Sequence, residues 1–320
     1  MASITVNPLQ DDVSFGARIS GVTYATLEDE EIRQQINQVF EDRGLIVFED
    51  VEPSAEMHLA ISNVFGPLKD HPVPEVARVD PNAMLGVIDM AHDPESDDVG
   101  IVEIDGKRLA QWLPWHFDHC YNNELNRAGV LRAVEIAPEG GRTGFIDGIE
   151  LYQAFSPELR AAIEQQRVVY TLDLAYPRMR FGRPENFREL QVQSATTMTL
   201  ERAKKMPRAI HPAVWTRKSG EKVLHVSPWM AVGIENHEDA AGDNLLRAVC
   251  HEIEQQAKPY FHQWQPKQML IWDNWRTLHS VSGHDPKYAR RMQRTTIKGD
   301  YGLGCFEGNA KGDKLLEMTV

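Results

Sequence analysis

Met269-Leu270-Ile271-Trp272 sets apolar side chains in succession and runs directly into Asp273-Asn274. A short apolar run closed by turn-forming residues reads as a strand buried on both faces. Comparable runs recur at 130–136, 143–146, 168–172, 209–216, 223–226 and 291–297, with Pro138-Glu139-Gly140-Gly141 and Ser219-Gly220 as turns between them. Residues 101–109 predict a hairpin turning at Asp105-Gly106. Upstream, residues 2–21 read as two short strands and Leu45-Ile46-Val47-Phe48 as a buried one. Helices are fewer. Residues 29–40 carry Ile32, Ile36, Val39 and Phe40 at helical spacing and stop at Gly44. Residues 54–64 end before Gly66-Pro67, and a long helix is predicted over 239–256 with Asp239 at its start.

Many short strands with scattered helices favour a β-dominated sandwich or jelly roll over a βαβ sheet. Gly-x-Gly-x-x-Gly and phosphate-loop patterns are absent from the sequence, which lowers the prior for a nucleotide site. The expectation is one domain over 1–320, a jelly-roll core with helical additions. A lid or insert is expected around 71–113, where prolines at 72, 74, 81 and 94 and the acids near Glu95 and Asp98 make the text loop-like.

With 42% hydrophobic and 25% charged residues the composition is that of an ordinary globular protein. The formal charge of −13 argues against a nucleic-acid partner, yet leaves room for a basic pocket that takes a small anion. Cys120, Cys250 and Cys305 have neither metal-site nor redox spacing, which favours a reducing compartment. The opening Met1-Ala2-Ser3-Ile4 lacks the basic start of a signal peptide, and no run approaches 18 apolar residues. A soluble cytoplasmic protein without a membrane partner is expected.

Chemistry concentrates at Trp115-His116-Phe117-Asp118. A histidine followed two places later by an acid is weak by itself: with 12 histidines and 47 acids, about two such pairs arise by chance. The other pair, His237 and Asp239, opens the long helix, where Asp239 is better used as a cap. His116 and Asp118 sit among Trp112, Trp115 and Phe117. In extended backbone they point the same way, toward one metal ion, and His119 points to the other face. A hydrogen-bonded core pair explains them equally well until the downstream residues are counted. His279 follows the Met269 strand and its turn, and Arg290 and Arg294 share one strand face with Met292 between them. Two imidazoles and one carboxylate bind one face of ferrous iron and leave the other open. A buried guanidinium beside them requires an anion; the alternative is a solvated basic cluster over 287–294.

Together, Trp115-His116-Phe117-Asp118, Gly140-Gly141-Arg142-Thr143-Gly144-Phe145, His211-Pro212-Ala213-Val214, Ile271-Trp272-Asp273-Asn274 and residues 289–297 resemble the taurine dioxygenase/TfdA family of Fe(II)- and 2-oxoglutarate-dependent dioxygenases. The resemblance covers nearly the whole chain. It implies a double-stranded β-helix, with His116, Asp118 and His279 as iron ligands, and Fe(II), 2-oxoglutarate and O2 as cofactor and co-substrates. Thr143 and Arg290 match the residues that hold the distal carboxylate of 2-oxoglutarate. Arg294 matches an arginine near the substrate acid group or the inner carboxylate, and His71 a substrate-contacting histidine. The resemblance also implies a homo-oligomer.

The sequence departs from the taurine enzymes on the substrate side. Pro74 stands where those enzymes have a tyrosine, and Trp112 where they have an asparagine. Trp112, Tyr121, Trp229 and Met230 are candidates to line a larger, more apolar pocket, with plain core packing as the competing explanation. The expected activity is hydroxylation of an unactivated C–H bond of a small organic acid, aromatic or apolar, releasing succinate and CO2. A sulfonate- or sulfate-ester-cleaving dioxygenase of the same family is the nearest alternative. A zinc-type metallohydrolase and a non-enzymatic binding jelly roll are the rivals of other classes. Pro114 weakens the hydrolase, because the binuclear hydrolases considered need a histidine at that position.

Overall fold

The computed structural model describes residues 3–70 and 86–309. Its centre is a pair of β-sheets. The seven-stranded sheet runs, in spatial order, Thr5–Pro8, Ala17–Ser20, Leu45–Phe48, Met269–Asp273, Ala128–Glu135, Arg290–Ile297 and Val87–His92. The six-stranded sheet runs Phe187–Gln191, Ile101–Ile104, Lys107–His116, Thr277–His284, Thr143–Asp147 and Tyr260–His262. Neighbours are antiparallel throughout both sheets, except that Ala17–Ser20 and Leu45–Phe48 run parallel.

Strand alternation divides the core. Leu45, Val47, Leu270 and Trp272 pack with Phe145 and Tyr260 of the six-stranded sheet, filling the space between the sheets. Their sequence neighbours Ile46, Phe48, Met269 and Ile271 point the other way, onto Ile32, Ile36, Phe40, Met57 and Ile61. Those residues belong to the helices Glu30–Arg43 and Ala55–Ser62. Both faces of each strand are therefore dry, which is why these strands read as unbroken apolar runs. Each such side chain contributes roughly 1.5–3 kcal/mol on burial. The six-stranded sheet is likewise covered outside: Ile146 and Leu278 meet Leu246 and Val249 of the helix Ala240–Gln256. The result is the expected jelly roll with helical additions.

Local signals match as well. The helix Glu30–Arg43 begins at Asp29, whose side chain accepts from the Glu31 and Ile32 N–H groups, and ends at Gly44 with φ of 72°. Asp239 caps the long helix through the Ala241 and Gly242 N–H groups. The hairpin at Asp105-Gly106 joins Ile101–Ile104 to Lys107–His116.

Within the expected 71–113 segment, Val87–His92 pairs along Arg290–Ile297 and the hairpin strands belong to the six-stranded sheet, with turns and loop over 93–100 between them. Residues 71–85 lie outside the described residues. Two expectations need correction. The expected strand over 209–216 is two strands, Ala209–Pro212 and Val214–Thr216, in different small sheets. Finally, Thr277–His284 is a central strand paired on both sides, where only a turn leading to His279 was anticipated. Among the described residues no helix is long and apolar enough to cross a membrane.

Candidate metal centre

His116 ends its strand directly opposite His279, the register partner on the neighbouring antiparallel strand. Asp118 follows just beyond the strand end, and the chain then turns at His119, where φ is 60°. The three side chains each offer a ligand atom, all within 4.8 Å of one another, and all three are buried. Asp118 Oδ1 lies 4.0 Å from His116 Nε2 and 3.8 Å from His279 Nε2. The His116 Nδ1–H donates to the Pro114 carbonyl at 2.8 Å, because a carbonyl can only accept. That fixes the tautomer and leaves the Nε2 lone pair for a metal.

Charge follows burial. Burial alone would push the Asp118 carboxyl up, but Arg294 and the imidazoles of His279, His119 and His116 hold it far below the usual carboxylate range. Burial pushes the His116 and His279 imidazoles down, against the opposite pull of Asp118. The site therefore presents two neutral nitrogens and one carboxylate, the protonation state a divalent ion requires.

Sequence reasoning missed how Asp118 is held. Asn274, the last residue of Ile271-Trp272-Asp273-Asn274, accepts from the Asp118 N–H at 2.7 Å and donates to the Asp118 carbonyl at 3.1 Å. His225 Nε2 donates to the Asn274 carbonyl at 2.9 Å and stacks on Phe117 with centroids 3.8 Å apart. A fully buried asparagine straight after an apolar strand was the available signal.

The triad opens into a cavity of about 390 Å³. Arg294 reaches it and donates through Nη1 to both Asp118 oxygens, at 2.9 and 2.8 Å. Arg290 reaches it too, donating through Nη1 to Gln111 Oε1 at 2.7 Å and through Nη2 to the Gly141 carbonyl at 3.2 Å. Among the described residues no carboxylate pairs with Arg290, and burial pushes its guanidinium down to about 10. Arg291 and Gln293 turn away as alternation requires, to Asp89 and Arg132. Thr143 lines the cavity, its Oγ1 accepting from Trp264 Nε1 at 3.1 Å.

Tyr121, Trp229 and Met230 line the cavity, and Leu172, Leu174, Gln193 and Thr199 join them unforeseen. Trp112 is not brought there. Its neighbours Gln111 and Leu113 face the cavity, so the indole takes the other side of the strand against Tyr176 and Phe187, with centroids at 5.3 and 5.5 Å. His71 and Pro74 lie outside the described residues.

A jelly roll that converges two imidazoles and a carboxylate on one point, beside buried guanidiniums, has the architecture of the mononuclear non-haem iron oxygenases. Comparison with known proteins makes this specific. The pattern of the taurine catabolism dioxygenase TauD, TfdA family matches residues 5–296, and the chain belongs to that family of dioxygenases. Pentalenolactone F synthase of Streptomyces arenae is 26% identical over 267 residues, covering 81% of this chain and 83% of the relative. The (S)-phenoxypropionate/alpha-ketoglutarate-dioxygenase of Sphingobium herbicidovorans is 26% identical over 289 residues, covering 90% and 93%. The crystal structure of AAD-2 in complex with Mn(II) and N-oxalylglycine shares the fold, with a TM-score of 0.69 at 21% identity over 93% of this chain and 98% of that one.

Proposed function

We propose that the protein is an Fe(II)- and 2-oxoglutarate-dependent dioxygenase that hydroxylates an unactivated C–H bond of a small, largely apolar organic acid. His116, Asp118 and His279 hold the iron. Bound there, iron would supply the activation of dioxygen, with 2-oxoglutarate giving succinate and CO2 as co-products.

The observation that carries this reading is Arg290: a buried cation in the same cavity as the triad, held among the described residues by neutral acceptors. Such a group is stabilised when a carboxylate arrives, by an amount on the order of 2–5 kcal/mol for a desolvated pair. Arg290 and Thr143 take the distal carboxylate of 2-oxoglutarate. Gly141 makes room for this arrangement, since a Cβ there would lie 2.8 Å from Arg290 Nε. Arg294, already beside Asp118, meets the inner carboxylate or the acid group of the substrate.

The rest of the cavity argues for an apolar substrate body. Leu172, Leu174, Trp229 and Met230 offer surface that excludes water and orients an aromatic or alicyclic skeleton. The names of the two relatives, a phenoxypropionate dioxygenase and a pentalenolactone F synthase, support such a skeleton. The free thiols Cys120, Cys250 and Cys305 suit a reducing, cytoplasmic location where ferrous iron persists. Succinate release over a panel of aryloxyalkanoic, alicyclic and alkylsulfate acids, with product masses, tests the proposal. Turnover confined to small zwitterions such as taurine would overturn the substrate class.

A further inference from the structure

The strand Lys107–His116 departs from extended geometry at Gln111, whose φ is 51°. A non-glycine residue adopts that left-handed value only under constraint. The strand beside it bends as well: Gly283 has φ of 69°, and a Cβ there would come to 3.0 Å of Leu109 Cβ and 3.1 Å of Trp112 Cβ. The Gly283 carbonyl in turn accepts from the Gly141 N–H at 2.7 Å. Three segments are thus drawn together around one guanidinium, that of Arg290. Local strain of this kind collects where function fixes geometry.

The kink secures a particular contact. Gln111 faces the cavity, Oε1 accepting from Arg290 Nη1 at 2.7 Å and Nε2 donating to the Met90 carbonyl at 3.3 Å. Its amide is therefore held at both ends. A glutamate at this position would make the same contact with Arg290, but as an internal counter-ion. Glutamine fixes the guanidinium plane and leaves its charge intact.

We propose that Gln111 is a positioning residue for the co-substrate: it holds Arg290 in place without neutralising it, so that the distal carboxylate of 2-oxoglutarate becomes its counter-ion. This rests on the assignment of Arg290 as the anchor. A leucine at 111 would leave Nη1 without its acceptor and free to turn away, weakening binding less than an added negative charge would.

The test is calorimetric titration of N-oxalylglycine, a close analogue of 2-oxoglutarate, into the Mn(II)-loaded full-length protein and its variants, with Mn(II) affinity and thermal unfolding measured alongside. Gln111→Glu is expected to weaken analogue binding roughly 30-fold or more while Mn(II) affinity stays unchanged. Gln111→Leu is expected to weaken it about fivefold, and carries the test by itself if the glutamate variant does not fold. Should Arg290→Leu lose binding while the Gln111 variants stay within about twofold of wild type, the role of Gln111 falls and the anchor stands. Normal binding by Arg290→Leu would remove the anchor, and this assignment with it.

Discussion

His279 faces His116 across adjacent antiparallel strands, with ring centroids 4.1 Å apart. Two candidate metal ligands far apart in sequence are thereby placed by one backbone register, and the position of Asp118 completes the candidate set. Because register is enforced by the buried faces of both sheets, the site inherits the rigidity of the core.

Asp118→Ala removes the anionic ligand and leaves Arg294 without its carboxylate. The variant is expected to bind Fe(II) or Mn(II) at least about 100-fold more weakly, because a metal ligand is lost outright. Wild-type protein treated with chelator is expected to melt at a lower temperature than metal-loaded protein, since ligands that bind only the folded state stabilise it. Metal titration and thermal unfolding check both outcomes.

Asn274→Ala is the sharper test of how the carboxylate is held. It deletes the brackets on both sides of the Asp118 backbone, leaving a buried N–H without its acceptor at a cost of about 1–3 kcal/mol. Metal affinity should fall about 10–100-fold although no ligand is touched. Denaturant unfolding and metal titration, run together, separate the two effects.

Arg290→Ala should raise the 2-oxoglutarate requirement steeply, by an amount equivalent to roughly 2–5 kcal/mol, and leave metal affinity near wild type. Steady-state kinetics with varied co-substrate read the change. A normal KM for 2-oxoglutarate in this variant would refute the assignment.

Stability should fall in mild acid. His58 and His211 are buried and each is pushed down to about 4, by burial first, against backbone hydrogen bonds that pull the other way. In the unfolded chain these imidazoles titrate near 6.5. Between those values the unfolded state binds protons that the folded state refuses, so stability is complete above about pH 6.5 and is lost as pH falls toward 4. Each imidazole contributes a slope of up to about 1.4 kcal/mol per pH unit. Urea unfolding from pH 7.5 to 4.5 measures it, and His58→Gln should flatten the curve.

Residues buried on both strand faces, such as Ile46 and Val47, announced the sheet, and Gly44 and Asp239 announced helix ends through backbone chemistry that is local. The candidate triad His116, Asp118 and His279 was legible as a group because residue type and order restrict it. Thr277–His284 was not, because the strand presents His279 and Val281 to the cavity amid serines and threonine and so lacks an apolar signature. The side chosen by Trp112 and the role of Gln111 depend on which strand face meets the cavity and on a backbone kink, and no local pattern encodes either. Asn274 meets Asp118 only once the sheets are assembled.

Turnover under isotopically labelled dioxygen tests the central claim most directly. With 2-oxoglutarate and an accepted organic acid, one labelled oxygen atom should enter each succinate formed, and the hydroxylated product should appear in step with it. His279→Ala should form neither. Succinate without label, or labelled product from protein lacking His279, would contradict the account.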